Sequence, residues 1–264
     1  PYTVADDSFR EIRLLANELD TQIHMHVHET ASEISASQKR HARRPLQRLD
    51  ELGLLTPLLA AVHMTQLTAG EIPLLASRGV SVVHCPESNL KLASGFCPIA
   101  DLAAAGINIA LGTDGASSNN DLDMFGEMRS CALLAKGVAQ RADAAPAATV
   151  LGMATLNGAK ALGLGDRIGS LVTGKEADVI CVDLSAAATQ PVYDPVSQLV
   201  YATSRDQVSD VWVAGRQLLA DHQPLVADAP AILGRAESWR ARLAAARGSV
   251  AHDLTSECQS GRTG

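Results

Sequence analysis

The stretch Gln22-Ile23-His24-Met25-His26-Val27-His28-Glu29-Thr30 alternates between apolar and imidazole side chains, with Ile23, Met25 and Val27 on one side and His24, His26 and His28 on the other. A period of two is that of a β-strand, whose successive side chains point to opposite faces. Upstream, Phe9, Ile12, Leu15 and Leu19 recur at helical spacing behind a Ser8-x-x-Glu11 capping box, which predicts a helix over 8–19. Downstream, helical material runs from 32 to 52, with Pro45 placed to open its second piece and Gly53 to end it. The pattern then repeats as a strand over 58–63, a helix over 69–78, a strand over 80–85, a short helix over 98–105 and a strand over 107–111. Helices over 122–136 and 147–162 follow.

Strands that alternate with helices and are nearly continuous in apolar residues specify a parallel sheet, either open and doubly wound or part of an eight-stranded barrel. The polar residues decide between them. His26, His63, His84 and Asp114 each fall at the C-terminal end of a different strand. A barrel gathers residues from several strand ends onto one face, whereas an open sheet concentrates its site at one switch point. The reading is therefore an α/β chain whose residues 1–163 form the C-terminal half of a (β/α)8 TIM-type barrel. Beyond Gly163 the sequence turns to Gly-punctuated β segments at 168–171, 177–182, 208–213 and 217–219, which predict a small β-sandwich domain over 164–225. Residues 226–264 are expected to hold a helix over 230–245 and a polar, frayed tail.

With 264 residues, 47% of them hydrophobic and 19% charged, the chain can bury a sizeable core. No apolar run approaches the roughly 20 residues of a membrane span, so no membrane partner is expected. Cys85, Cys97, Cys131, Cys181 and Cys258 are scattered without a Cys-x-x-Cys pair, which reads as a reducing, cytoplasmic setting. A net charge of -7 and only 3% aromatic residues argue against a nucleic-acid polymer as partner. The basic run from Lys39 to Arg44 reads as a solvated loop between helices.

Imidazole and carboxylate are the ligands expected around a catalytic Zn²⁺ or Fe²⁺ that keeps one position open. Any one of these histidines is equally well explained by a water-facing strand, and an Asp before Gly is commonly a turn former. The combination is what points to a metal: His26, His63 and Asp114 end separate strands.

The runs His26-Val-His28-Glu29-Thr30, Ala61-Val-His63, His84-Cys-Pro-Glu-Ser-Asn-Leu-Lys-Leu92 and Leu111-Gly-Thr-Asp114-Gly-Ala-Ser-Ser-Asn-Asn120 together resemble the amidohydrolase superfamily. The likeness is nearest to its branch of 5-methylthioadenosine/S-adenosylhomocysteine deaminases, chlorotriazine hydrolases and guanine deaminases. Downstream, Ala154-Thr-Leu-Asn-Gly-Ala159, Gly169-Ser-Leu-Val-Thr-Gly-Lys-Glu-Ala-Asp178 and Val211-Trp-Val-Ala-Gly215 resemble the last barrel helix and the small β domain.

The resemblance implies a metal-dependent hydrolytic deaminase of adenine nucleosides, with one divalent ion, zinc or iron, per full-length chain. It makes His26 a metal ligand on the fifth barrel strand and Glu29 the substrate-facing acid. His63 becomes the sixth-strand histidine beside the attacking water, and Asp114 the eighth-strand ligand and proton shuttle. Glu29, His63 and Asp114 are thereby the expected catalytic and substrate-binding residues, and His26 and Asp114 the expected metal ligands. His24 and His28 match no ligand position, His84 on the seventh strand is expected in the pocket wall or behind the ligands and not as a ligand, and His41, His222 and His252 are expected in solvated loops or tail. The expected partner is a small nucleoside or heterocycle. The family's first strand carries a His-x-His metal pair for which His24, His26 and His28, all on one short strand, cannot stand in, so the chain is expected to be N-terminally truncated. An isolated half-barrel exposes sheet edges, which predicts self-association, as a homo-oligomer or an aggregate. The alternatives are a chlorotriazine hydrolase or guanine/8-oxoguanine deaminase on the same scaffold, or a catalytically silent half-barrel.

Overall fold

The computed structural model describes the backbone of residues 1–260 and the side chains of residues 1–246. The first helix, α1 (Asp6–Leu19), buries Phe9 and Ala16 and carries Asp6 and Asp7 in its first turn, where the helix dipole favours acids. Strand β1 (Ile23–Val27) follows. Helix α2 (Ala31–His41) starts directly after Glu29 on a capping box: the Thr30 hydroxyl accepts the Glu33 N–H, and the Glu33 carboxylate accepts the Thr30 N–H at 2.9 Å. Pro45 then opens α3 (Pro45–Glu51).

The chain continues through β2 (Leu59–His63), α4 (Ile72–Arg78), β3 (Ser81–His84), α5 (Pro86–Lys91), α6 (Ile99–Ala104), β4 (Ile109–Leu111), α7 (Met124–Ala139), α8 (Ala147–Ala154) and α9 (Leu156–Ala161). The four strands form a parallel sheet in the order β1-β2-β3-β4. Its register places His26 beside Val62, Val62 beside Val83 and Val83 beside Ala110. On one face Leu59, Ala61, Val82, Ile109 and Leu111 join Leu49, Leu75, Leu102, Met128 and Val150 of the helices in the main core. On the other, Ala60, Val62, Val83, Cys85 and Ala110 make a smaller cluster closed by Ala161.

The second sheet, β5 (Val179–Val182), β6 (Val208–Val213), β7 (Arg216–Ala220) and β8 (Gln223–Pro224), is antiparallel in chain order. Among the described residues it is one sheet, where the expected sandwich requires two layers. The strand expected at 168–171 is absent. Gly169 turns there with φ +86, so close to α9 that an added Cβ would lie 2.9 Å from Leu156 Cα. The helix expected over 147–162 is broken at Thr155 (φ -128, ψ -97). Asn157 Nδ2 donates to the Ile109 carbonyl and Asn108 Nδ2 to the Asn157 carbonyl, which pull the second piece onto the end of β4.

Helix α10 (Pro195–Tyr201), unforeseen between β5 and β6, starts on Asp194, whose carboxylate accepts the Val196 and Ser197 N–H groups. Helix α11 (Ala229–Ser260) runs past the expected end at 245; residues 261–264 of the expected tail, and the side chains of His252 and Cys258, lie outside the description. His41 closes α2 instead of lying in a loop, and Arg44 is half-buried: it donates to Glu71 at 2.7 Å and to the Gln66 carbonyl at 2.6 Å. Among the described residues no helix is long and apolar enough to cross a membrane.

Candidate metal centre

The C-terminal ends of the parallel strands hold the polar residues. His26 sits in the row Val62, Val83, Ala110 and is exposed on that face. His63 ends β2, and simple alternation would send it with Leu59 and Ala61 toward the helices. Its φ of +77, a conformation that non-glycine residues rarely adopt, breaks the alternation. The two imidazoles stack with ring centroids 5.2 Å apart and planes inclined by 16°.

The fully buried His63 ring is oriented by Asn89, whose Oδ1 lies 2.8 Å from Nδ1. An amide oxygen only accepts, so Nδ1 carries a hydrogen, and in the neutral ring Nε2 is then the nitrogen with the lone pair that a metal needs. That Nε2 is buried with no hydrogen-bond partner. Asp114 stands three residues past β4 with φ +60, and its Oδ2 accepts from the Ser88 hydroxyl at 2.7 Å and the Ser118 hydroxyl at 2.5 Å. Burial works against ionisation of Asp114. The Ser118 and Ser88 hydroxyls, the Gly115 N–H and the neighbouring His63 outweigh it and hold the carboxyl below the ordinary aspartate range.

One ligand atom from each of His26, His63 and Asp114 lies within 4.8 Å of the others. Two imidazoles and one carboxylate suit zinc and similar divalent ions, and the unpartnered buried nitrogen among them is what an ion would satisfy. The donor set therefore fits a metal. It also brings His63 among the donors, where the sequence expectation placed it beside the attacking water. Glu29 lies at the rim, with Oε2 3.7 Å from His63 Nε2. Thr65 Oγ1 donates to the Glu29 carbonyl at 2.6 Å, which fixes the backbone beneath it.

The other histidines stand apart. His24 is exposed on β1 and outside the donor group. His28 is fully buried; its Nε2 accepts the Leu46 N–H at 3.2 Å, and burial lowers its pKa to about 4 although Glu71 opposes the shift. His84 is buried and lines a small cavity with Pro86, Asn89 and Cys97, and burial, reinforced by His63, lowers its pKa to about 3. His222 is exposed beyond β7. Cys85, Cys97 and Cys131 are buried and Cys181 exposed, all with free thiols.

Ser88, Asn89 and Ser118 were not singled out from the sequence, although all lie within the quoted motifs. Their spacing carries no sign of which side chain each will meet across the sheet.

The chain matches the amidohydrolase family over residues 1–218. It is 53% identical over 247 residues to a 5-methylthioadenosine/S-adenosylhomocysteine deaminase of Teredinibacter turnerae, covering 94% of this chain and 56% of the relative. An adenosine deaminase of Xanthomonas campestris, solved with bound zinc, superposes with a TM-score of 0.91 at 57% identity, covering 93% of this chain and 56% of that one. The zinc complex of atrazine chlorohydrolase from Arthrobacter aurescens gives a TM-score of 0.84 at 27% identity, over 89% of this chain and 52% of that one. The chain thus spans about half the length of the relatives it matches. With most of its length matched by the family and the His and Asp residues gathered at the strand ends, the chain belongs to the amidohydrolase family.

Proposed function

We propose that this chain is the C-terminal part of a metal-dependent deaminase that hydrolyses the exocyclic amino group of adenine nucleosides such as 5-methylthioadenosine or S-adenosylhomocysteine. The observation that carries the reading is the convergence of His26, His63 and Asp114 donors within 4.8 Å, with the Glu29 carboxylate 3.7 Å from His63 Nε2. The relatives named above support the substrate class. In this reading residues 1–163 are the second half of an eight-stranded barrel, 164–225 the C-terminal part of a small β domain, and 226–264 a terminal helix and tail. The parallel order β1-β2-β3-β4 and the gathering of polar residues at one edge support the barrel.

His26 and Asp114 would hold a divalent ion, zinc by analogy with the relatives' bound metal, and the free Nε2 of His63 faces the same place. When bound, such an ion lowers the pKa of a water from about 15.7 toward about 7. The chain's own groups then manage the protons. Asp114 accepts a proton from water as its oxygen joins the ring carbon that bears the amino group, while the Glu29 carboxyl delivers a proton to the adjacent ring nitrogen. His63, fixed by Asn89, holds its Nε2 lone pair toward the same oxygen. The proton held by Asp114 passes to the amino group, ammonia leaves as the carbon–nitrogen bond breaks, and the proton of the new hydroxyl returns to the Glu29 carboxylate as the carbonyl forms. The net reaction consumes one water and converts the adenine ring to hypoxanthine.

The test is an assay of the longer protein for the absorbance change of adenine to hypoxanthine on both nucleosides, with guanine and a chlorotriazine as parallel substrates. Turnover on the nucleosides is expected. Turnover confined to guanine or the triazine would move the function within the family, and no turnover on any would leave a silent scaffold.

A further inference from the structure

Glu127, in the first turn of α7, is fully buried, and among the described residues no cation pairs with it. A leucine or methionine would fill such a place without burying an acid, so the carboxyl needs a reason. Its bonds supply one. Oε1 accepts from Asn119 Nδ2, and Oε2 accepts the Glu87 N–H at 3.2 Å. One bond ties down the start of α5 and the other the loop after β4, and both segments serve the candidate metal centre.

Glu87 precedes Ser88, which donates to Asp114, and Asn89, which orients His63. Asn119 follows Ser118, the second donor to Asp114. The Asn119 Oδ1 in turn accepts the Asp121 and Leu122 N–H groups at 3.3 and 3.0 Å, ordering the turn into α7. The helix is shaped to the same purpose on either side of the acid. Gly126 leaves room for the Glu87 carboxylate, whose Oε1 an added Cβ would approach to 3.0 Å, and the Ser130 hydroxyl donates to that oxygen at 2.9 Å.

We propose that Glu127 is a positioning residue that clamps the start of α5 to the loop after β4 and so fixes His63 and Asp114 for metal binding. The inference rests on the proposed reading of the metal centre. It adds a residue that touches neither metal nor substrate, acting through Ser88, Asn89 and Ser118. Burial, reinforced by the Glu87 charge, raises the Glu127 carboxyl to about 8 although both bonded N–H groups oppose the shift, in keeping with an acid held in an enclosed place.

Glu127→Gln in the full-length protein replaces one acceptor by an amide that faces an N–H donor, breaking one arm of the clamp. Adding Asn119→Asp reverses that bond, letting the new amide donate to the new carboxylate. Zn²⁺ affinity, read by competition with a chelator, should fall about 10–100-fold in Glu127→Gln and recover to within about threefold in the double variant. Hydrogen exchange should quicken in 86–91 and 114–122 in the single variant and slow again in the double one. Met128→Ala, which removes core packing on the same helix, serves as the control for instability alone.

If Met128→Ala, at an equal loss of melting temperature, weakens zinc as much as Glu127→Gln, or if a folded double variant shows no recovery, the clamp is refuted. Should Glu127→Gln fail to fold, Asn119→Ala breaks the same arm and is held to the same outcomes. Zinc binding is read without turnover, so a parent that binds zinc but deaminates nothing overturns the substrate reading and leaves this one standing. A parent that binds no zinc overturns both.

Discussion

His26 and His63 stack across adjacent strands even though the register pairs His26 with Val62 and His63 with Val27. The positive φ of His63 makes this possible, turning its ring off the helix-facing side and toward the face that His26 occupies. Strain at a strand end recurs at functional sites, because the surrounding structure must hold it in place. Here the Asn89 contact to Nδ1 does so from within the core.

The chain supplies three convergent donors. A longer protein with a further His-x-His pair would complete the sphere. The full-length protein should therefore retain about one zinc or similar divalent ion per chain through dialysis, while the 264-residue chain alone holds it weakly. Elemental analysis of both decides the matter. Tight, stoichiometric metal in the short chain would show that its three donors suffice.

Asn89→Leu keeps the volume near His63 and removes the acceptor that fixes its tautomer. Partners of this kind are typically worth 10–100-fold in metal affinity. A loss in that range is expected, together with a nitrogen NMR spectrum of His63 that shows a mixture of tautomers. Unchanged affinity and a single tautomer would mean that the ring is held by its packing alone.

Two buried histidines make stability depend on acid. The pKa of His28 lies at about 4 and that of His84 at about 3, both lowered first by burial, against an ordinary 6.5. Between those values the unfolded chain binds more protons than the folded one, so stability rises with pH in that window. It is present in full above about pH 6.5 and is lost as the pH falls toward about 4 for His28 and about 3 for His84. Each group contributes a slope of up to about 1.4 kcal/mol per pH unit. Urea midpoints should drop between about pH 7.5 and pH 5.5, and His84→Gln should flatten the drop. A His84→Gln profile parallel to that of the unaltered chain would show that His84 is not buried neutral.

The parallel sheet was legible because β2, β3 and β4 are apolar runs bounded by Gly or Pro, β1 alternates with a period of two, and histidine and aspartate stand where the strands stop. Helix α5 was not, since the six residues from Pro86 to Lys91 are too few to show a period, and Pro86 at its first position was the one local sign. The break at Thr155 is set by Asn157 bonding to a strand distant in sequence, which no local propensity encodes. At the site, His26, His63 and Asp114 could be nominated from their positions at the strand ends, whereas Glu29 was nominated by the family resemblance alone. The conformation of His63 and the partners Ser88, Asn89 and Ser118 depend on how two loops meet, and one-dimensional spacing does not carry that.

Glu29 distinguishes a deaminase from generic metal hydrolysis. Its carboxylate is outside the donor group yet 3.7 Å from His63 Nε2, at the rim of the site where a substrate ring would enter. In the full-length protein Glu29→Gln should keep its metal, because no ligand is removed, and lose about 10²–10⁴-fold in turnover of 5-methylthioadenosine, because an amide of the same shape cannot deliver the proton. Asp114→Asn should differ, losing metal as well as activity, since it removes a charged donor that Ser88 and Ser118 hold in its ionised form. Metal content and the adenine-to-hypoxanthine absorbance change, measured on the same samples, separate the two patterns. A Glu29→Gln protein that deaminates near the parent rate would place the proton source elsewhere, and one that also loses its metal would place Glu29 among the ligands.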